Sequence, residues 1–220
     1  MKYFMSILVL LIMSYSAPIF GQRIVTVRWG GNMTQILGLE SLGHPRKSIR
    51  MGVSVVIPIR DRFNLQIGGD YVPKGGLRDN IHYGIIELDI DYIELSGLGI
   101  VTIISPRRAP SLSILAGPTV AFKVRNEGED PLASRYGGGS FDFKTVDFGI
   151  AGGIGTQMAI SKTLTVSAQL RYTLGIRSIN KTTFYIIDYD SHTAEKRGLT
   201  NHTISFCIGL GFPVSRLGGG

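Results

Sequence analysis

Cysteine is almost absent from this chain: Cys207 is the only one in 220 residues. An intramolecular disulfide and a Cys-rich zinc module are therefore excluded. Charge is scarce too, at 18% of residues, against roughly 25% in ordinary soluble domains. Histidine occurs four times, with no His-x-x-x-His or Glu-x-x-His pair of the kind that binds metal on a helix. Long apolar runs are also missing. Phe4–Met13 is the longest, and it is about half of the ~20 residues a helix needs to cross a bilayer. Lys and Arg exceed Asp and Glu by 23 to 16, yet they form no basic run interleaved with aromatics, so nucleic-acid binding is not supported.

What is present begins with a leader. Lys2 precedes the apolar run, and SYSAPIFG follows it. A basic start, a short apolar core and a small residue at the cut describe a secretory signal peptide. The expected signal is 1–21, with Gln22 as the new N-terminus. No Cys stands near that cut, which excludes a lipoprotein. Only Lys2 among the charged residues is lost with it, so the charge falls from +7 to +6. Glycine, 29 of 220, is near twice its usual share of about 7%.

The rest of the chain alternates with period two, the mark of strands with one apolar face. In 49–59, Ile49, Met51, Val53, Val55, Ile57 and Ile59 oppose Arg50, Gly52, Ser54, Val56 and Pro58. In 164–176, Leu164, Val166, Ala168, Leu170, Tyr172, Leu174 and Ile176 oppose Thr165, Ser167, Gln169, Arg171, Thr173 and Gly175. Eight such strands are expected, at about 24–33, 48–59, 63–72, 84–104, 111–124, 144–160, 163–178 and 202–212. The fourth changes phase. Ile86, Leu88, Ile90 and Tyr92 share the apolar side first, then Ile93, Leu95, Val101 and Ile103. One extra residue near Tyr92-Ile93, a β-bulge, would account for this. Short connections (60–62, 105–110, 161–162) alternate with long ones (34–47, 73–83, 125–143, 179–201). That is the plan of an up-and-down outer-membrane barrel, with short periplasmic turns and long outer loops.

A soluble eight-stranded, lipocalin-like barrel alternates too, but hides its apolar face inside. Three features favour lipid outside. The polar face is mostly Gly, Ser, Thr, Ala, Asn and Gln, too poor in Lys and Glu for a wall in water. Aromatics sit near strand ends, with Tyr71, Phe122 and Phe148 at one end, Phe63 and Phe212 at the other, and Tyr172 above the middle. Runs of ten or more residues are long enough to cross when tilted. The expected interior then holds Arg28, Arg50, Lys123, Arg171 and Arg177 with Asp70, Glu87, Asp89, Asp91, Glu94 and Asp147. Eight strands leave no open pore, so these charges must pair. Hairpin geometry brings Arg50 to Asp70 and Asp147 to Arg177.

The stretches 52–76 (GVSVVIPIRDRFNLQIGGDYVPKGG), 92–101 (YIELSGLGIV), 111–122 (SLSILAGPTVAF), 146–180 (VDFGIAGGIGTQMAISKTLTVSAQLRYTLGIRSIN) and 203–212 (TISFCIGLGF) follow one another in order. In this the sequence resembles the PorT-type outer-membrane β-barrel domain family, widespread in Bacteroidetes. The resemblance implies an eight-stranded outer-membrane barrel over 22–212 and implies no particular activity. The chain departs from that family's pattern in the residues after Phe212, which are expected to form a flexible tail over 213–220.

Little chemistry stands out. His44, His82 and His192 fall in expected loops and His202 at a strand mouth. The 188–195 segment gathers Asp188, Asp190, His192 and Glu195 without the spacing of a calcium loop. Gly149–Gly155 lies inside a strand with no helix after it, so it is no phosphate cradle. No catalytic residue, metal or cofactor is assigned. The expected protein is a monomeric, non-enzymatic outer-membrane barrel with a structural or interaction role. Its partners would be membrane lipid and envelope proteins met through its loops. An accessory barrel of a secretion or transport system, and a barrel-borne lipid-modifying enzyme, are the alternatives.

Overall fold

The computed structural model describes residues 22–37, 44–80, 84–104, 110–127, 143–179, 184–188, 193–197 and 199–214. The expected signal segment 1–21, most of the expected outer loops, and His82 and His192 lie outside the described residues.

Ten strands are present: β1 (Arg23–Leu37), β2 (His44–Arg60), β3 (Phe63–Asn80), β4 (Gly84–Ile104), β5 (Ser111–Glu127), β6 (Val146–Ala159), β7 (Thr165–Gly175), β8 (Phe184–Asp188), β9 (Thr193–Arg197) and β10 (Thr200–Val214). Eight close into a barrel in the order β1-β10-β7-β6-β5-β4-β3-β2. Every neighbouring pair in it is antiparallel. The first and last barrel strands pair from Arg23–Val214 to Leu37–Thr200, which leaves no open edge. β8 and β9 form a separate two-stranded hairpin inside the connection expected as a loop at 179–201.

The alternation decides which way each face points. In β1, Val27, Trp29 and Met33 are exposed while Thr26, Arg28, Asn32 and Thr34 are buried. In β10, Ile204, Phe206, Ile208 and Phe212 are exposed, and Thr203, Ser205 and Cys207 buried. The same holds for Ile49, Met51 and Val53 on β2, for Ile150 and Ile154 on β6, and for Leu170, Tyr172 and Leu174 on β7. A barrel dissolved in water would hide this wall; an apolar outer band around a polar bore is what a bilayer requires. Small residues let the strands approach. A side chain on Gly30 would collide with the Phe206 carbonyl, so β1 and β10 meet there only because Gly30 has none.

Four expectations about elements change. β1, β2, β3 and β5 run past the expected strand ends, while β4 keeps its expected 84–104. β3 has 18 residues and β4 has 21, about twice the 9–11 that a tilted strand needs to cross. The 73–83 loop is thereby reduced to a short link, because Pro73–Asn80 pairs with Gly84–Asp91. The bulge is next to the expected position but on the facing strand. Asp91 pairs with Arg125 and Tyr92 with Lys123, so the extra residue is Val124 of β5. β4 itself keeps one phase, in unbroken register with β3. Finally, β10 continues two residues beyond Phe212, where Pro213 and Val214 pair with Ile24 and Arg23. Residues 215–220 lie outside the described ones.

Candidate functional site

The bore of the barrel is where the chain concentrates its polar chemistry. Even-numbered residues of β1 to β4 and odd-numbered residues of β5, β6, β7 and β10 point inward. This parity delivers Arg28, Arg50, Asp70, Lys74, Glu94, Asp147 and Arg171 to one interior, none more than 3% exposed.

Asp70 is the hub. Arg28 grips its carboxylate with two bonds, Nε to Oδ1 at 2.7 Å and Nη2 to Oδ2 at 2.6 Å. Arg50 donates from Nη2 to the same Oδ2 at 2.6 Å, and from Nη1 to Ser205 Oγ at 2.9 Å. Arg171 Nη1 stands 3.9 Å from Oδ2. One carboxylate thus faces three guanidiniums. Arg171 takes its close hydrogen bonds elsewhere: Nε and Nη2 donate to Gln169 Oε1 at 3.1 and 2.7 Å. Gln66 lies between Gln169 and the Arg28 and Arg171 guanidiniums. Room for the hub comes from Gly52 across β2, where a Cβ would collide with Asp70 Oδ1.

A second group stands toward the end with the long connections. Glu94 bridges Arg50 (3.3 Å) and Lys74 (3.0 Å). Lys74 also approaches Asp147 at 3.4 Å, and Asn201 donates to Asp147 Oδ2 at 2.9 Å. Six strands of the barrel, β1, β2, β3, β4, β6 and β7, supply the charges, and β10 adds Ser205 and Asn201. Ions this deeply buried are stable only when each finds a partner, and removing one partner typically costs about 3–5 kcal/mol.

An apolar layer covers the network. Ile36, Ile90, Tyr92, Ala121, Phe143, Ile179 and Leu199 form one buried cluster. Lys74 Nζ sits 5.1 Å from the centre of the Tyr92 ring, joining the ionic layer to the apolar one. Backbone bonds from Lys144 N to Ile179 O and from Ile179 N to Leu199 O tie the segments beside the strands into this cap. At the other end, Leu98, Ile100, Leu115 and Ala151 form a smaller buried cluster against the β4–β6 wall.

The expected interior residues divide as follows. Arg50, Asp70, Asp147 and Arg171 line the bore, with Arg50 on Asp70. Arg177 does not. β7 ends at Gly175, so the alternation no longer carries Arg177 inward. It lies exposed on the outer side, with its guanidinium 5.9 Å from the centre of the Phe148 ring. The expected Asp147–Arg177 pair is replaced by Asp147–Lys74. Lys123 donates to the Phe143 carbonyl at 2.8 Å. Asp89 and Asp91 also leave the expected interior. Because β4 keeps its phase, Ile90 and Tyr92 point inward, and the two aspartates belong to the outer face. Asp89 meets Arg46 at 2.6 Å, and Asp91 accepts from the Tyr71 hydroxyl. The Glu87 side chain lies outside the described ones.

Sequence reasoning missed Lys74 and Asn201. Lys74 lies in a Pro-Lys-Gly-Gly stretch that imitates a loop, although it keeps the inward parity of Asp70. Asn201 precedes the expected start of its strand. His44 begins β2, and His202 lies in β10, where its Nδ1 is 2.6 Å from the Tyr172 hydroxyl. Among the described residues no group of His, Cys, Asp and Glu is arranged to hold a metal ion.

No family model matches the sequence, and no curated protein matches it. Solved structures do match the fold. The outer membrane protein OprG from Pseudomonas aeruginosa is similar with a TM-score of 0.57, over 89% of this chain and 97% of its own, at 13% identity. The outer membrane protein AlkL, solved by solid-state NMR in DMPC bilayers, is similar with a TM-score of 0.54, over 94% and 96%, at 10% identity. The chain has the fold of these outer-membrane proteins, an all-β, eight-stranded, antiparallel closed barrel.

Proposed function

We propose that this chain is an outer-membrane barrel that conducts nothing through its bore. It serves as a rigid scaffold for the segments carried at the end with the long connections. The observation that carries this reading is the double closure of the interior. An ionic layer drawn from seven strands lies across the bore, and the Ile36–Leu199 apolar cluster lies over it. Conduction needs a continuous wet path, and an apolar layer sealed onto paired ions offers none. The wall supports the location, because its exposed Ile, Leu, Val and Phe residues match lipid. On this reading the chain has no catalytic task and meets its partners, if envelope proteins, through the segments above the rim.

Membership of the PorT-type family is part of the same proposal and rests on the ordered motifs from 52–76 to 203–212. An accessory role in secretion is the finer form of the interaction reading. The test is electrical. The purified barrel, reconstituted into planar lipid bilayers, should give no stepwise conductance. Stable single-channel openings would overturn the closed-scaffold reading. Crosslinking in intact envelopes then separates a free-standing barrel from an accessory one by whether a defined partner is captured.

A further inference from the structure

The charges that point into the bore do not cancel. Among the described residues buried there, Arg28, Arg50, Lys74 and Arg171 face Asp70, Glu94 and Asp147; Asp91, the other buried carboxylate, turns to the Tyr71 side of β4. The imbalance is also uneven in space. Lys74, Glu94 and Asp147 form a group with one net negative charge, while Arg28, Arg50 and Arg171 gather on Asp70, with only Arg50 also reaching Glu94, at 3.3 Å, and leave two net positive charges. Arg171 is the extreme case. Its guanidinium stands 3.9 Å from Asp70 Oδ2, which already takes hydrogen bonds from Arg28 and Arg50. A buried surplus cation is expensive in a medium of low dielectric unless something negative approaches it.

Beside this surplus is a small chamber of mixed lining in the half of the bore nearer the short turns. Arg28, Ser54, Gln66, Ser167, Gln169 and Cys207 line it beside the apolar Val56, Ile100 and Ile208. No carboxylate lines it. Its lining instead offers a guanidinium, hydroxyls and amide groups, which are the donors that solvate an anion. Its volume is ≈ 20 Å³. About 10–15 Å³ holds one water, so the chamber suits a monatomic ion and not a branched oxyanion. β1, β2, β7 and β10 supply most of its lining, and Ile100 of the Leu98–Ala151 apolar cluster closes one side.

We infer that this chamber is a binding site for a small monovalent anion of halide size, held beside Arg28 and neutralising the surplus of the arginine cluster. The anion completes the ionic layer from below and stabilises the folded barrel. The unfolded chain has no such site, so bound anion must raise stability in a saturable way. Screening of exposed rim charges has a different signature, because it follows ionic strength and not the identity of the anion.

The experiment uses the full barrel folded in a zwitterionic detergent. Thermal unfolding is followed while sodium chloride or bromide replaces sodium gluconate at constant ionic strength. The expected result is a saturable rise of the midpoint by ~2–8 °C. Arg171→Gln, which removes the surplus charge, should abolish the rise. Absence of a halide-specific rise in the wild-type protein overturns the proposal, and so does a rise that survives Arg171→Gln. The Cys207 thiol is the other candidate neutraliser. If halide matters only in Cys207→Ala, a thiolate balances the wild-type charge and the anion site is rejected. Should Arg171→Gln fail to fold, crystals of the wild-type barrel soaked in bromide decide. An anomalous peak in the chamber is expected, and bromide found only on the outer surface contradicts the proposal.

Discussion

The two ends of β4 are built on opposite rules. From Ile93 to Ile103, Ile93, Leu95, Val101 and Ile103 are exposed and apolar, with Glu94 and Ser96 inside, followed there by Leu98 and Ile100. Two residues earlier the pattern changes: Ile90 and Tyr92 are wholly buried, while on the outer side Asp89 meets Arg46 and Asp91, itself buried, accepts from the Tyr71 hydroxyl. The strand has not slipped, since its register with β3 is unbroken. The solvent has changed. Against lipid the apolar side must face out and the polar side must be neutralised within; against water the same strand packs like that of a soluble barrel. The inversion at Asp91–Ile93 therefore marks the edge of the bilayer. The ~11 residues from Ile93 to Ile103 match the length of a tilted crossing. Arg46, Lys123 and Arg125 stand at this level or above it, where long basic side chains keep their charge in the head-group region.

The sharpest way to break this comparison is to disarm the ionic layer. Asp70→Asn would leave three guanidiniums around a neutral amide. It should destabilise the barrel by about 3–5 kcal/mol, read from urea unfolding in lipid vesicles. Ile90→Ala acts on the other regime. If the upper part is a soluble-type core, the loss should be about 2–5 kcal/mol; if Ile90 faced lipid, the change would be far smaller. Ile154→Lys puts a charge on the outer wall within the apolar band. The expected cost is ~2–4 kcal/mol. The smallest effect belongs to Lys47→Glu, an exposed rim position on β2, at ~0–1 kcal/mol. Equal costs for Ile154→Lys and Lys47→Glu would erase the boundary drawn between the two zones.

Much of this was legible in the residues. Period two located all eight barrel strands, and the poverty of Lys and Glu on the polar faces of β1, β6 and β10 pointed to a bore in place of a water-facing wall. Arg50 and Asp70 were readable as neighbours because a short turn, Asp61-Arg62, fixes the β2–β3 register. The misreadings share one cause. Alternation reports which residues share a face and says nothing about which solvent the face meets, so Ile90 and Tyr92 looked like a phase change and were in fact a change of environment. Arg177 was assigned inward by extending the alternation past Gly175, where the strand ends. Lys74 was hidden by Pro73 and two glycines, which suggest a loop but here pair with Asp91, Asp89 and Leu88. The β8–β9 hairpin carries too short a pattern to separate from a polar connection.

The most direct test places a nitroxide label at 89, 91, 93, 95, 99 and 101 in turn, on a Cys207→Ala background, in lipid vesicles. Accessibility to oxygen, which concentrates in lipid, is compared with accessibility to a water-soluble nickel chelate. Labels at 93, 95, 99 and 101 should be relaxed by oxygen, and labels at 89 and 91 by the chelate, with the crossover between 91 and 93. Chelate access at 95, 99 and 101 without oxygen access would mean that the apolar wall does not meet lipid, and would contradict the account.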